Sequence, residues 1–363
     1  MRKILITLFI ITSYLLNGQN FDSLVHVSLK LSSDTEKVNF FYKEGFENRL
    51  RSPQYSYNCA KQAEYFGLQS RSEKHLAKAY NLMGVLFYRK GDLKKALEFH
   101  QKALEIRQAI RDEVGIALSE TNLGNIYSDL QKNEMAEKSY LSALQINNKL
   151  GNDKQTGNCY INIGVLKIAE NKMDEAEKYF LNAYKIAKTI MDYELEAMCL
   201  NNLAVINIEK NNFEPAIGNS LDALKVKEIM GNEIEKADSY INLAKAYFKL
   251  GDQKNSDYYL NKADSLCAVY NYMEAKRELL KLRSDIYAAN KKYDLAFNTY
   301  KSYIHLRDSI NYENKMLAQE YNFVEERSET TRSTEAFKFP YPLLLTLFAL
   351  SVFIIYYVFK NKK

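Results

Sequence analysis

A small residue recurs through the middle of this chain at one fixed interval: Gly84, Gly124, Gly164, Ala204 and Ala244, 40 residues apart each time. A second set, Ala103, Ala143, Ala183, Ala223 and Ala263, runs in step with it. Five copies of two positions without a slip do not arise from composition. A period between roughly 20 and 50 residues is the signature of stacked supersecondary units, each too small to bury its own apolar face. Such an array offers a surface for recognition rather than a ready-made chemistry.

Each unit holds two stretches of helical periodicity separated by a turn. In residues 116–150, Leu118, Leu123, Ile126 and Tyr127 recur at helical spacing. Gln131-Lys132-Asn133 interrupts them, and Ala136, Tyr140, Ala143, Leu144 and Ile146 resume the pattern. Gly151-Asn152 closes the second stretch, as Gly231-Asn232 does two units later. With 4 Pro and 13 Gly in 363 residues, little interrupts the helices. The fold class expected is all-α. The small residues have a packing reason: Gly124 or Ala204 lets one helix approach its partner, and Tyr140 or Phe180 fills the space between.

The run Thr121 to Ile146, TNLGNIYSDLQKNEMAEKSYLSALQI, resembles the tetratricopeptide repeat: Leu-Gly, Tyr three residues on, then Ala, an aromatic and Ala. The spacing resembles the longer variety, near 40 residues, of bacterial envelope regulators and some animal scaffolds. The resemblance implies a right-handed superhelical solenoid of helix-turn-helix units. Extended in register, the frame gives about seven units over residues 19–305, five of them strong at 77–276. Ser52-Pro53 marks an early helix start, because Pro at the first helical position loses no hydrogen bond. Where the family prefers Tyr, this chain has Lys167 and Asn207, so the packing of those two units is expected to differ.

The family also implies a binding surface. Asn122, Asn162, Asn202 and Asn242 form a ladder at the same period. In the family an Asn at this place can face the concave groove and bond the backbone of a bound peptide, since its amide both donates and accepts. Positions 82 and 282 are Leu, so the ladder is confined to four units. The first helices of two of these units are apolar nearly all round, with Ile161, Val165 and Ile168 in one and Met198, Val205 and Ile208 in the other. A helix apolar on every side is buried or meets an apolar partner. These six residues are expected either to floor the groove or to serve ordinary stacking.

Chemistry is not expected. The four histidines, His26, His75, His100 and His305, lie far apart in sequence and have no metal-ligand spacing. There is no phosphate-binding loop, nucleophile elbow or dinucleotide fingerprint. Acidic residues alternate with Lys, as in Lys172 to Phe180, in the manner of a solvated helix face. No catalytic residue, metal or cofactor is assigned. Cys159 and Cys199 hold equivalent places in successive units, and equivalent helices about 8–10 Å apart exceed the ~7 Å within which Cα atoms can be bridged. They are expected to be small buried side chains.

The two ends suggest a membrane. Arg2 and Lys3, an apolar run from Leu5 to Leu16 and the small residue Gly18 read as a signal peptide over 1–18. Residues 340–359 include an uncharged run from Pro342 to Phe359, near the length that crosses a hydrocarbon core of about 30 Å. Lys360, Lys362 and Lys363 follow as a cytoplasmic tail, 360–363. Between array and span, 306–339 reads as a stalk helix. Ile310, Leu317 and Val324 recur there at seven residues, a coiled-coil hint of a homodimer. The net charge of +5 is carried by Arg2, Lys3 and the three terminal Lys, which leaves no basic stripe for nucleic acid.

The expectation is thus a periplasm-facing scaffold anchored in a bacterial inner membrane by one helix and the bilayer around it. It would bind a protein or peptide in its concave groove. The alternative is the input half of a signalling system whose kinase or DNA-binding output lies on another protein or was lost by truncation.

Overall fold

The 40-residue period of the sequence is a period of helix starts. A computed structural model describes residues 21–309 apart from 22, 50 and 51, and every regular element among them is helical. In chain order these are α1 (Asp34–Glu47), α2 (Pro53–Gln69), α3 (Glu73–Arg89), α4 (Leu93–Ala109), α5 (Glu113–Asp129), α6 (Asn133–Leu150) and α7 (Asp153–Ala169). There follow α8 (Met173–Ile190), α9 (Tyr193–Glu209), α10 (Phe213–Met230), α11 (Lys236–Leu250), α12 (Gln253–Tyr270) and α13 (Met273–Ala289). Residues 293–309 are helical too and pair with α13. The helices stack as consecutive antiparallel pairs, α1 with α2 through α11 with α12, each pair packed on the next. Successive first helices also touch one another along the stack, so they form its inner layer.

The turns are as regular as the helices. A residue with positive φ ends nearly every helix at 20-residue intervals, from Arg71 and Gly91 through Gln131, Gly151, Asn171 and Met191 to Gly251, Asn271 and Lys291. This is the left-handed closure that satisfies the last carbonyls of a helix. Only four of these positions are Gly. Elsewhere the fold holds side chains in a conformation that costs roughly 1–2 kcal/mol for an L-residue. At the opposite ends, Asp92, Asp112, Asp192 and Asp252 accept a hydrogen bond from the backbone N–H three residues on, which is the expected role of a capping carboxylate.

Within a pair, the small residue of the first helix answers the large one of the second. A Cβ on Gly84 would stand 2.5 Å from the His100 ring, one on Gly124 2.5 Å from Tyr140, and one on Gly164 2.7 Å from Phe180. Where the second residue shrinks to Ser220 or Leu260, the first grows to Ala204 or Ala244, and both alanines are fully buried. The Ala183 set is equally buried, with Ala103, Ala143, Ala223 and Ala263 all at 0% exposure. Lys167 also finds a physical account. Its side chain is buried between Glu137, at 2.7 Å, and Glu170, at 3.2 Å. Burial works against its charge, but the two carboxylates more than offset this and hold its pKa above the ordinary lysine value.

Between pairs, one position of the second helix reaches into the next first helix. Arg107 donates to the Gly115 carbonyl at 3.0 Å and to Ser119 Oγ at 2.6 Å. Three units later Lys227 makes the same two contacts, to the Glu235 carbonyl at 2.6 Å and Ser239 Oγ at 3.0 Å. Asn147 meets Cys159 Sγ at 3.7 Å in the same place. All four cysteines are buried, with free thiols, and burial pushes the Cys199 thiol up to about 12.

One part of the expected fold class is corrected. No helix among the described residues is long and apolar enough to cross a membrane. The all-α repeat solenoid stands without the membrane-spanning helix added to it, and the single-pass placement in a bacterial inner membrane is withdrawn with that helix. The residues on which the span was read, 340–359, lie outside the described residues. So do the expected signal peptide 1–18, residues 310–339 of the stalk with Ile310, Leu317 and Val324, and the tail 360–363. The chain divides into two units, Met1–Lys315 and Met316–Lys363, and all described residues belong to the first.

Candidate functional site

The ten residues singled out from the sequence do not share one environment. Ile161 is 4% exposed and packs with Leu195, Cys199 and Ala187, beneath the next first helix. Ile208 is 3% exposed against Ala216 and Ala246. Neither can floor a groove, because the neighbouring unit covers it. Ile168 is half-buried against the same core as Ile161. Val165 and Met198 are exposed and Val205 is half-buried.

The asparagine ladder proves to be partly structural. Asn122 Nδ2 donates to Asn81 Oδ1 of the preceding first helix at 3.1 Å. Asn242 Nδ2 lies 3.4 Å from the Asn201 carbonyl in the same relation. Asn202 bonds back to the Met198 carbonyl of its own helix at 2.9 Å, and Asn162 is half-buried. At two rungs the donor is therefore used to join adjacent helices of the inner layer, and the side-chain oxygens keep their accepting capacity.

Four of the ten come together. Met198, Asn202, Val205 and Asn242 line a cavity of about 420 Å³ walled by α9 and α11, with Lys227 of α10 and Tyr272, just before α13, at its edge. With them are Glu194, Asn201, Lys227, Glu235, Asp238 and Tyr272, none of which the sequence pattern picked out. Apolar wall and polar groups converge there in the manner of a ligand site.

The repeat breaks its own rules around this cavity. Ser72, Asp112, Asn152, Asp192 and Asn232 occupy the helix-capping place in five units, and the sixth has Tyr272. Ser72 and Asn152 make no side-chain capping bond, and neither does Tyr272, which alone among the six lacks a short polar side chain. Its hydroxyl instead lies 3.4 Å from Asp238 Oδ2 in the preceding unit, and burial pushes it up to about 12. The start of α11 is delayed to Lys236, where the period places it at 233, so residues 233–235 form a turn. The Glu235 carbonyl still accepts from Lys227, as the Gly115 carbonyl does from Arg107. Ser239 Oγ accepts from Lys227 and donates to Asn201 Oδ1 at 2.8 Å, fixing the Asn201 amide at the cavity wall.

The charges are set by burial. Lys227 is 1% exposed, and desolvation brings it down to about 8 against the pull of Asp238 and Glu235. Desolvation raises Asp238, opposed by Lys227 and by Tyr272. Asp238 makes no ion pair among the described residues. A signal for Lys227 did exist in the sequence: the same repeat position holds the polar residues Arg107 and Asn147 in two earlier units, against the small Ala187 and Cys267. No group of residues suited to hold a metal occurs among the described residues.

Comparison with known proteins agrees with this architecture. Family models described as tetratricopeptide repeat match residues 77–109, 113–189 and 237–270. No curated protein matches the chain. Among solved structures, the apo form of the quorum sensor NprR from B. thuringiensis aligns with a TM-score of 0.65 at 17% identity, over 80% of this chain and 81% of that one. The apo form of RapI aligns at 0.64 and 14% identity, over 76% of this chain and 98% of its own. The Rap conjugation gene regulator of plasmid pLS20, solved with the Phr* peptide, aligns at 0.53 and 13% identity, over 79% and 98%. At these identities the likeness is one of fold. The matched stretches are tetratricopeptide repeats, and the helix pairs and Gly-to-aromatic packing are the form those repeats take in this chain.

Proposed function

We propose that the chain is a recognition scaffold that binds a peptide or an extended protein segment in the cavity between α9 and α11. The single observation that supports this most is the convergence of departures from the repeat on that one place. A tyrosine takes the capping place at 272 and reaches Asp238 instead, and α11 starts late. Each departure costs stability locally, and sites that break local rules without a packing gain are expected to be functional. A ligand's apolar side chain would rest on Met198 and Val205. Its backbone would meet the amides of Asn201, Asn202 and Asn242, which supply donors and acceptors to unpaired peptide groups. The pLS20 Rap regulator, a fold neighbour, was solved with a peptide bound, which supports the same kind of ligand here. The mode is binding rather than turnover.

Selection of displayed peptides on the purified protein tests this. Enriched peptides should lose about tenfold or more in affinity on Met198→Glu or Val205→Glu, roughly the loss of one buried apolar anchor. Val165→Glu, exposed on α7 away from the cavity, should leave their binding unchanged. If no peptide is enriched, or if the selected peptides bind all three variants alike, the cavity is not the site.

A further inference from the structure

We propose that the segment taken by this cavity carries a basic group, either a lysine or arginine side chain or a free amino terminus, beside a small apolar side chain. The proposal rests on the peptide-binding reading above and specifies its ligand.

Three carboxylates line the cavity, Glu194, Glu235 and Asp238, against one cation, Lys227. That cation is turned into the protein. Its ammonium is held by the Glu235 carbonyl and Ser239 Oγ, and it forms no ion pair among the described residues. Glu194 already shares Lys154, at 3.3 Å, with Asp192, which lies at 2.9 Å. Glu235 and Asp238 have no such partner among the described residues, and the one hydrogen bond to the Asp238 carboxylate is the long contact from Tyr272. The cavity therefore carries an excess of negative charge that the protein does not neutralise.

Asp238 is the sharper of the two. Desolvation is the largest influence on it and works against its ionised form, and Lys227 opposes this through its charge without forming an ion pair. A carboxylate withdrawn from water without a paired cation is costly. A cation arriving with the ligand removes that cost, and it forms a charge-assisted hydrogen bond stronger than a neutral one. The equivalent places in other units hold Lys78, Leu118, Asn158, Met198 and Glu278. The one carboxylate among those, Glu278, is exposed and paired with Arg277 at 3.0 Å. The unpaired acid and the tyrosine that reaches it thus belong to this cavity and not to the generic repeat. The apolar half of the specificity comes from Met198 and Val205 on α9, opposite Asp238 on α11.

The experiment measures binding of short synthetic peptide pools to the full chain by fluorescence anisotropy. One position is fixed as Lys, Arg, norleucine or Glu, and each pool is made with a free and with an acetylated amino terminus. The Lys and Arg pools should bind about tenfold or more tighter than acetylated norleucine, as one charge-assisted hydrogen bond allows. Asp238→Asn should erase that preference, with Glu235→Gln as the second variant should the first fail to fold. If the free-amine norleucine pool matches the Lys pool, the basic group is the amino terminus. Binding that ignores charge but falls on Met198→Glu overturns this inference and leaves the proposed function standing. A basic preference that survives both Asp238→Asn and Glu235→Gln also overturns it. Absence of binding by every pool overturns both.

Discussion

Residues 73–190 and residues 193–309 are built on one period and spend it differently. In the first stretch each pair sets Gly against a ring, Gly84 with His100, Gly124 with Tyr140 and Gly164 with Phe180, at separations that leave no room for a Cβ. Each of its first helices begins on schedule after Ser72, Asp112 or Asn152. In the second stretch the contact relaxes to Ala204 and Ala244, α11 starts late, and the residue in the capping place at 272 is a tyrosine. Tight packing belongs to the half that only needs to stand. Irregularity gathers where a cavity opens on the inner layer.

The contrast breaks most readily at its tightest contact. Gly124→Val should destabilise the protein by about 3 kcal/mol or more, since overpacking a filled core costs roughly 1–3 kcal/mol and this site begins with Cβ already 2.5 Å from Tyr140. Urea denaturation of the purified protein measures it, and a loss under 1 kcal/mol would mean that the pairs yield more easily than their geometry implies.

His100 sharpens the comparison within the first stretch. It is buried with Nδ1 unpaired, and burial, aided by Arg107, brings its pKa down to about 3. In the unfolded chain it protonates near 6.5, so between these values the unfolded state holds the extra proton. Stability should therefore fall as pH drops from about 6.5 towards 3. His100→Phe, which copies Phe180, should flatten that slope. Its melting temperature should exceed wild type by more at pH 4 than at pH 7, and equal differences at both pH values would refute the account.

The capping contrast predicts opposite signs. Asp112→Ala should cost about 1 kcal/mol, because its carboxylate accepts from the Gly115 N–H. Tyr272→Asp should gain a similar amount by restoring the cap, while it weakens peptide binding. Thermal unfolding and the binding assay read the two effects separately, and a destabilised Tyr272→Asp would show that the tyrosine serves the fold rather than the cavity.

The smallest effect concerns a glycine without a neighbour. Gly218 lies inside α10 with nothing within 4 Å of where its Cβ would be. Gly218→Ala should stabilise by roughly 0.5–1 kcal/mol through helix propensity alone. A loss there would mean that the outer face of α10 packs against something.

By itself the sequence determined the period, the two helices per unit, the positions of the turns and the small residues at which helices meet. All of these are local or strictly repeated, so spacing alone carries them. It also singled out Met198, Asn202, Val205 and Asn242, which fall on one helical stripe or at one repeat position and line one cavity. It could not separate them from Ile161 and Ile208, which look equally apolar and are buried. Whether an apolar residue on a first helix is exposed depends on how the next unit lies over it, and no count within one helix contains that. The tertiary structure alone brought Tyr272 to Asp238 across 34 residues and set the Lys227 ammonium under the Glu235 carbonyl. That last bond repeats the one from Arg107 to the Gly115 carbonyl three units earlier, eight residues along the chain in both cases.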